Sequence, residues 1–367
     1  MRAKQRKGSM SEAKAQIPDE LPEKRLLDVR DLKVQFEDSE GTVYAVNGVN
    51  LRLDRGRIMG VVGESGCGKS VLSRSVMNIL DAGGRIVEGR VLFCSREHGW
   101  LDLARLPVDG PAIRRIRGKE IAMIFQEPLA ALSPVHRVGS QIVEMITLHE
   151  ELSKQQARER AIELLSKVGI PEPNRAIDQY TFELSGGMRQ RVMVAMALAC
   201  QPRLLIADEP TTALDVTIQA QILELIRSLK DQFDMAVMII SHDLGVIAEM
   251  ADDVAVMYLG SVVERGTVRE VLKNPRHPYT HALMRSIPRA EVDHKRRLAT
   301  IAGTVPDAHR IPAGCPFHPR CPEFIEGVCD SDVPHELDVG AGHTVACHLY
   351  AERQDPQRIQ ERMATER

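Results

Sequence analysis

Residues 63 to 70 form a glycine-rich segment with the chemistry of a phosphate-binding site. They read Gly-Glu-Ser-Gly-Cys-Gly-Lys-Ser, follow the apolar run 58–62 and precede a helix-compatible stretch. Glycines let consecutive backbone N–H groups turn toward phosphate oxygens, Lys69 supplies a positive charge for the β- and γ-phosphates, and Ser70 can bind Mg²⁺. An ordinary strand-to-helix turn is the alternative. Because all four fixed positions of the pattern lie between strand and helix, the segment predicts binding of a nucleoside triphosphate.

Two neighbouring carboxylates, Asp208 and Glu209, follow the apolar run 204–207, which is typical of a buried strand. Sheets of α/β proteins bind ligands at the C-terminal ends of their strands. Asp208 can hold Mg²⁺ there, and Glu209, on the other side of the pleat, can orient or deprotonate an attacking water. Alone, Asp-Glu-Pro indicates a simple turn; together with loop 63–70 it predicts the second half of a hydrolytic site.

A second glycine-rich helix start occurs at residues 184–191, which read Leu-Ser-Gly-Gly-Met-Arg-Gln-Arg. Backbone N–H groups at the start of a helix can bind an anion. Local chemistry by itself favours the simpler interpretation, in which Ser185 is an ordinary N-cap.

The composition indicates a globular chain of about two domains, with 367 residues, 43% hydrophobic residues and a formal net charge of -3. The small net charge argues against a surface dominated by nucleic-acid binding. No apolar run approaches the roughly 18 residues of a membrane span. Residues 1–25 begin with basic residues but lack the apolar segment of a secretory signal, so we expect a flexible tail.

The periodicity of apolar residues predicts the strands and helices that carry these side chains. Residues 26–36 and 44–53 alternate apolar and polar types, which predicts an antiparallel β layer. Helical spacing predicts a helical insertion at about 130–190, and apolar runs alternating with helical patterns predict a mostly parallel α/β sheet. Prolines interrupt any period after that, so we expect a loop-rich extension over 267–350 and a charged tail over 351–367.

These segments, together with Gln126 in Ile-Phe-Gln-Glu-Pro, the run Ala213-Leu214-Asp215 and His242, resemble the complete motif set of ABC-type ATPases, in order. The resemblance covers about 26–266 and implies a nucleotide-binding domain of that span that binds ATP and Mg²⁺. The ATP-binding residues it implies are Phe36, which would stack on adenine, and Gly63, Ser65, Gly66, Cys67, Gly68, Lys69 and Ser70. The Mg²⁺-binding residues it implies are Ser70, Gln126 and Asp208.

The same resemblance implies catalytic roles for Glu209 as base, for His242 at the γ-phosphate and for Gln126. It also implies that two such domains associate head to tail, so that one domain's signature segment contacts the ATP held by Lys69 of the other. The signature residues would be Ser185, Gly186, Gly187 and Gln190, and Asp215 would belong to the D-loop. A lone chain should then be nearly inactive.

Four of the seven cysteines cluster in the proline-rich C-terminal part, at Cys315, Cys321, Cys329 and Cys347. Four thiolates can hold a tetrahedral Zn²⁺ or an iron–sulfur cluster. The spacing lacks the paired C-x₂-C knuckles of many zinc ribbons and favours neither metal strongly. Four free, buried cysteines are the alternative without metal.

His277-Pro278-Tyr279-Thr280 and the segments around Cys315, Cys321 and Cys347 resemble the C-terminal extension of oligopeptide/dipeptide-type ABC importers. That resemblance implies uptake of peptides, nickel or a related solute, and a [4Fe–4S] cluster on the four cysteines, with Zn²⁺ as alternative and His318 or His348 as a replacement ligand.

It also implies a second, identical or similar ATPase subunit, two transmembrane permease subunits, an extracytoplasmic solute-binding protein, and a peripheral location on the cytoplasmic face of the membrane. A non-transport ABC ATPase of DNA repair or translation and an iron–sulfur redox sensor are the rival functions.

Overall fold

The computed structural model describes residues 21–126, 131–212, 214–286 and 301–353. Most of the two predicted tails, 1–25 and 351–367, therefore lies outside the described residues.

An antiparallel sheet covers one side of the molecule, with strand order β2-β1-β4-β5. Its strands are β1 (Arg25–Glu37), β2 (Thr42–Asp54), β4 (Gly84–Ser95) and β5 (Gly99–Asp102). The inward-facing residues of β1 and β2 are apolar, as expected for a sheet with one buried face. This sheet is the predicted β layer.

The main sheet has the order β11-β12-β10-β9-β3-β8-β7-β6. Five neighbouring strands are parallel: β3 (Ile58–Val62), β6 (Ile121–Ile124), β7 (Leu204–Asp208), β8 (Ala236–Ser241) and β9 (Asp253–Tyr258). They are apolar on both faces because each face is covered: Ile58 and Val62 pack in one core, Met59 and Val61 in the other.

Three further strands continue this sheet in antiparallel sense: β10 (Ser261–Thr267), β11 (Glu336–Asp338) and β12 (Thr344–Ala346). The C-terminal extension is therefore not only loops, since β11 and β12 extend the main sheet through β10. Three-residue strands are too short to show an alternating pattern, which explains why periodicity does not reveal them.

Helices connect and cover these strands, and their starts show the expected caps. Ser153 and Gln156 form a capping box at the start of α4, and the side chain of Asp215 accepts a hydrogen bond from the N–H of Ile218 at the start of α7. The first six are α1 (Lys69–Val76), α2 (Pro111–Ile116), α3 (Val138–His149), α4 (Lys154–Lys167), α5 (Pro173–Ala176) and α6 (Gly186–Ala197). The others are α7 (Val216–Phe233), α8 (Leu244–Met250), α9 (Val268–Lys273) and α10 (Pro278–Arg285). Within the described part of the chain, none of the helices combines the length and the apolar character needed to cross a membrane.

Candidate nucleotide-binding and hydrolysis site

The loop between β3 and α1 depends on glycines at two crowded positions. Gly68 has φ +97°, and a Cβ there would lie 2.2 Å from the carbonyl oxygen of Ala45. A Cβ on Gly63 would lie 2.2 Å from the carbonyl oxygen of Met257. Only glycine fits such close backbone approaches, so neighbouring strands determine the shape of the loop.

Lys69 begins α1 and reaches back along the loop. Its Nζ donates hydrogen bonds to the carbonyl oxygens of Gly63, at 2.8 Å, and Glu64, at 3.0 Å. Cys67 is buried beneath the loop, and burial raises the pKa of its thiol above the ordinary value. A buried thiol with a raised pKa is a poor nucleophile, so its side chain is a packing group.

Ser70 and Asp208 bring two oxygen ligands together at the C-terminal end of β7. The Oγ of Ser70 donates a 3.1 Å hydrogen bond to the Oδ1 of Asp208. Asp208 is buried, and burial raises the pKa of its carboxyl group. Hydroxyl and carboxylate oxygens are the ligands that Mg²⁺ prefers, so the donor chemistry fits that ion.

Glu209 has a strained backbone and a carboxylate with three polar neighbours. Its φ is +48°, in the left-handed region that is uncommon for residues other than glycine. Its Oε2 accepts hydrogen bonds from Gln126 Nε2, at 3.1 Å, and Thr212 Oγ1, at 2.9 Å. The Nδ1 of His242 lies 3.3 Å from its Oε1. Asp208 and Glu209 thus diverge at the strand end, as a metal ligand and a base would.

A cavity of about 420 Å³ lies against the phosphate loop and Glu209. It is lined by Phe36, by the phosphate loop and by Gln126 and Glu209, whereas Asp208 and His242 do not line it. Of the predicted residues, those that line it are Phe36, Ser65, Gly66, Gly68, Lys69, Ser70, Gln126 and Glu209.

The predicted signature residues do not line this cavity. Ser185 and Gly186 are exposed at the start of α6, where Ser185 Oγ accepts a 3.3 Å hydrogen bond from the N–H of Met188. Gln190 is buried and donates through Nε2 to the carbonyl oxygen of Pro210, next to Glu209. The described fold therefore ties α6 to the segment that follows β7 in the same chain, while the start of α6 and Asp215 are both exposed.

The C-terminal extension contributes to the cavity, which the sequence patterns did not predict. Ala308 lines it, and its carbonyl oxygen accepts a 3.1 Å hydrogen bond from the N–H of Tyr44. His309 lies between Asp38, at 3.0 Å, and Asp307, at 2.8 Å. The sequence patterns also did not predict Thr212 as a partner of the Glu209 carboxylate, although its position three residues after Glu209 is a local signal.

The four clustered cysteines of the extension are free thiols, and those of Cys315, Cys329 and Cys347 are buried. The N–H of Cys315 donates a 2.8 Å hydrogen bond to the carbonyl oxygen of Cys329. Burial, with a smaller contribution from the neighbouring thiols of Cys315, Cys321 and Cys329, raises the pKa of Cys347 to about 12.

The predicted metal site is not preformed. Among the residues that the structure describes, no group of three or more His, Cys, Asp or Glu side chains is arranged to hold a metal ion. The two histidines considered as replacement ligands contact carbonyl oxygens instead, His318 that of Cys315 and His348 that of Asp332.

Fold and site together define a P-loop ATPase of the ABC type. The family model described as ABC transporter matches residues 46–212, and the one described as the C-terminal region of oligopeptide/dipeptide transporters matches residues 263–329.

Proteins of known family are similar over nearly the whole chain. The dipeptide transport ATP-binding protein DppD of Bacillus subtilis (strain 168) is 47% identical over 330 residues, 90% of this chain and 96% of that protein. A probable peptide ABC transporter ATP-binding protein of Sinorhizobium fredii is 48% identical over 323 residues, 88% of this chain and 94% of that protein. The solved dimeric structure of a bacterial ABC transporter cassette superposes with a TM-score of 0.58 at 26% identity, covering 66% of this chain and 99% of the other.

The chain belongs to the ABC transporter family, in the branch that carries the oligopeptide/dipeptide transporter C-terminal region. It is an ATP-binding and ATP-hydrolysing subunit of such a transporter.

Proposed function

We propose that this chain powers the import of peptides, or of a related small solute such as nickel, by binding and hydrolysing ATP between two cassettes. The observation that supports the proposal is the cavity that the phosphate loop shares with Gln126 and Glu209, together with the hydrogen bond from Ser70 to Asp208. Relatives named as dipeptide and peptide transport proteins support the solute class.

In this proposal the phosphates lie along the loop from Ser65 to Ser70. Lys69 exchanges its loop carbonyl partners for β- and γ-phosphate oxygens, and Phe36 stacks on the adenine. Ser70, Asp208 and Gln126 would hold Mg²⁺, which would supply positive charge to the phosphate oxygens.

Glu209 serves as the base. Its carboxylate accepts a proton from the attacking water, while Gln126, Thr212 and His242 hold it at the cavity wall. His242 also contacts the γ-phosphate. The left-handed backbone of Glu209 directs this side chain away from that of Asp208.

The proposal requires a second cassette, identical or similar. Ser185, Gly186 and Gly187 do not line the cavity of their own chain, and the exposed start of α6 is free to contact ATP on a partner. Asp215 lies at the same surface. Two permease subunits and an extracytoplasmic solute-binding protein complete the importer, with this chain peripheral on the cytoplasmic face.

We also propose that Cys315, Cys321, Cys329 and Cys347 bind a metal group, a [4Fe–4S] cluster or Zn²⁺. Four free thiols in one extension, two of them on segments joined by the Cys315–Cys329 backbone hydrogen bond, support it, because thiolates are the preferred ligands of both. A bound metal would lower the raised pKa values of Cys315, Cys321 and Cys347, and binding would draw the four segments together.

The test of the hydrolytic assignment is Glu209→Gln. We expect ATP binding to be retained, turnover to fall by about 10²- to 10⁴-fold, and an ATP-bound dimer to accumulate in size-exclusion chromatography. Glu224→Gln, an exposed carboxylate on α7, is the matched control and should leave turnover unchanged. Unchanged hydrolysis by Glu209→Gln would remove Glu209 from the role of base.

A further inference from the structure

The second residue of the phosphate loop, Glu64, contacts the C-terminal extension through both its backbone and its side chain. Its N–H donates a 2.9 Å hydrogen bond to the Oη of Tyr279 in α10. Its carboxylate accepts two hydrogen bonds from Arg320, one from Nη1 at 2.8 Å and one from Nη2 at 3.2 Å. Its carbonyl oxygen accepts from Lys69 Nζ. Every polar group of Glu64 therefore has a partner.

Contacts other than its ion pair with Glu64 fix the position of Arg320. Its side chain is 3% exposed, its Nε donates to the carbonyl oxygen of Ala302 at 3.0 Å, and its guanidinium carbon lies 5.8 Å from the centre of the Tyr258 ring. A planar guanidinium fixed in this way presents a rigid two-pronged donor to a carboxylate. The ion pair thus has little freedom to shift.

Tyr279 is fixed as well. Its ring is fully buried and packs against Tyr258, with centroids 4.7 Å apart, and against Phe317, with centroids 5.4 Å apart. Tyr258 ends β9 of the main sheet, whereas Phe317 and Arg320 belong to the extension. The aromatic cluster therefore joins the core sheet to the segment that holds Glu64.

We infer that Arg320 and Tyr279 are positioning residues for the phosphate loop, so that the extension holds this loop in the shape that binds ATP. The inference rests on the ATP site proposed above. Two physical effects support it: fixing Glu64 lowers the conformational entropy that the loop loses on binding phosphate, and the Arg320 charge neutralises a carboxylate beside the triphosphate.

The experiment measures the dissociation constant for ATPγS with Mg²⁺ on the full chain by calorimetry, together with the melting temperature. We expect Arg320→Gln to weaken binding about tenfold, because the Glu64 carboxylate is left unpaired near the phosphates. In a Glu64→Gln background the same Arg320→Gln change should weaken binding less than about twofold, since Arg320 then has no carboxylate to hold.

Arg265→Gln is the matched control. Arg265 donates a 2.7 Å hydrogen bond to Glu336 and so also joins β10 to the extension, but not at the phosphate loop. This variant should lower the melting temperature while leaving the dissociation constant unchanged. If Arg320→Gln behaves like Arg265→Gln, or weakens binding equally with and without the Glu64 carboxylate, the inference is overturned.

Tyr279→Phe keeps the buried ring and removes only the acceptor for the Glu64 N–H. It therefore replaces Arg320→Gln as the test variant if Arg320→Gln does not fold. We expect it to weaken binding about threefold or more; an unchanged dissociation constant would overturn the inference. Lys69→Ala distinguishes failure of the proposed ATP site from failure of the positioning role of Arg320 and Tyr279. If wild type binds ATPγS and Lys69→Ala does not, the ATP site stands whatever Arg320→Gln does.

Discussion

Gly68→Ala should destabilise the chain more than Gly66→Ala, although both residues lie in the phosphate loop with positive φ. Gly68 has φ +97° and a Cβ position 2.2 Å from the Ala45 carbonyl oxygen, whereas Gly66 has φ +79° and no neighbouring heavy atom within 4 Å. The left-handed backbone costs an alanine about 1–2 kcal/mol at either site. The close contact adds about 1–3 kcal/mol at Gly68, because backbone must move to accept the methyl group.

The assay is thermal unfolding of the full chain without nucleotide. An unfolding entropy of about 2.1 cal/mol/K per residue means that each kcal/mol lowers the melting temperature by about 1.3 °C for a chain of this length. We expect a decrease of about 1–3 °C for Gly66→Ala and about 3–6 °C for Gly68→Ala. Gly186→Ala, at an exposed site with nothing within 4 Å, should change it by less than about 1 °C. Equal decreases for Gly66→Ala and Gly68→Ala would refute the steric reasoning.

Two further predictions concern the extension. Hydrogen bonds to Asp307 and then Asp38 raise the pKa of His309 above its ordinary value of 6.5, so its stabilising charge is fully present below that value and is lost as pH rises through the raised pKa. His309→Gln should therefore lower the melting temperature at pH 6 and progressively less at higher pH; a pH-independent difference would contradict this. Anaerobically purified protein should contain about four irons and four sulfides per chain, or one zinc. Cys→Ser changes at the four clustered positions should abolish metal binding, whereas Cys94→Ser, the control, should not. The four positions are Cys315, Cys321, Cys329 and Cys347. A metal-free wild type would show that these cysteines are packing groups.

The chemistry of the ATP site could be predicted from the sequence because it is local. Phosphate loops are contiguous: the glycines, Lys69 and Ser70 lie within eight residues, and their backbone conformation determines where the N–H groups point. The same holds for Asp208 and Glu209, which are adjacent in the chain, so that the alternation along a strand directs their side chains to different sides. The alternating apolar runs likewise predicted the parallel sheet and the β layer.

The contacts between the extension and this site depend on the folded chain and could not be predicted from local patterns. Arg320 and Glu64 are 256 positions apart, and an arginine among prolines has no periodic or motif signal that names its partner. The contact of Ala308 with the cavity and the pairing of β12 with β10 depend in the same way on chain segments meeting in space. Local conformational preferences act over a few residues, whereas such contacts depend on the packing of the whole fold. The ATP-binding chemistry is therefore readable from short segments of the chain, while the residues that fix the loop in place are visible only once the chain is folded.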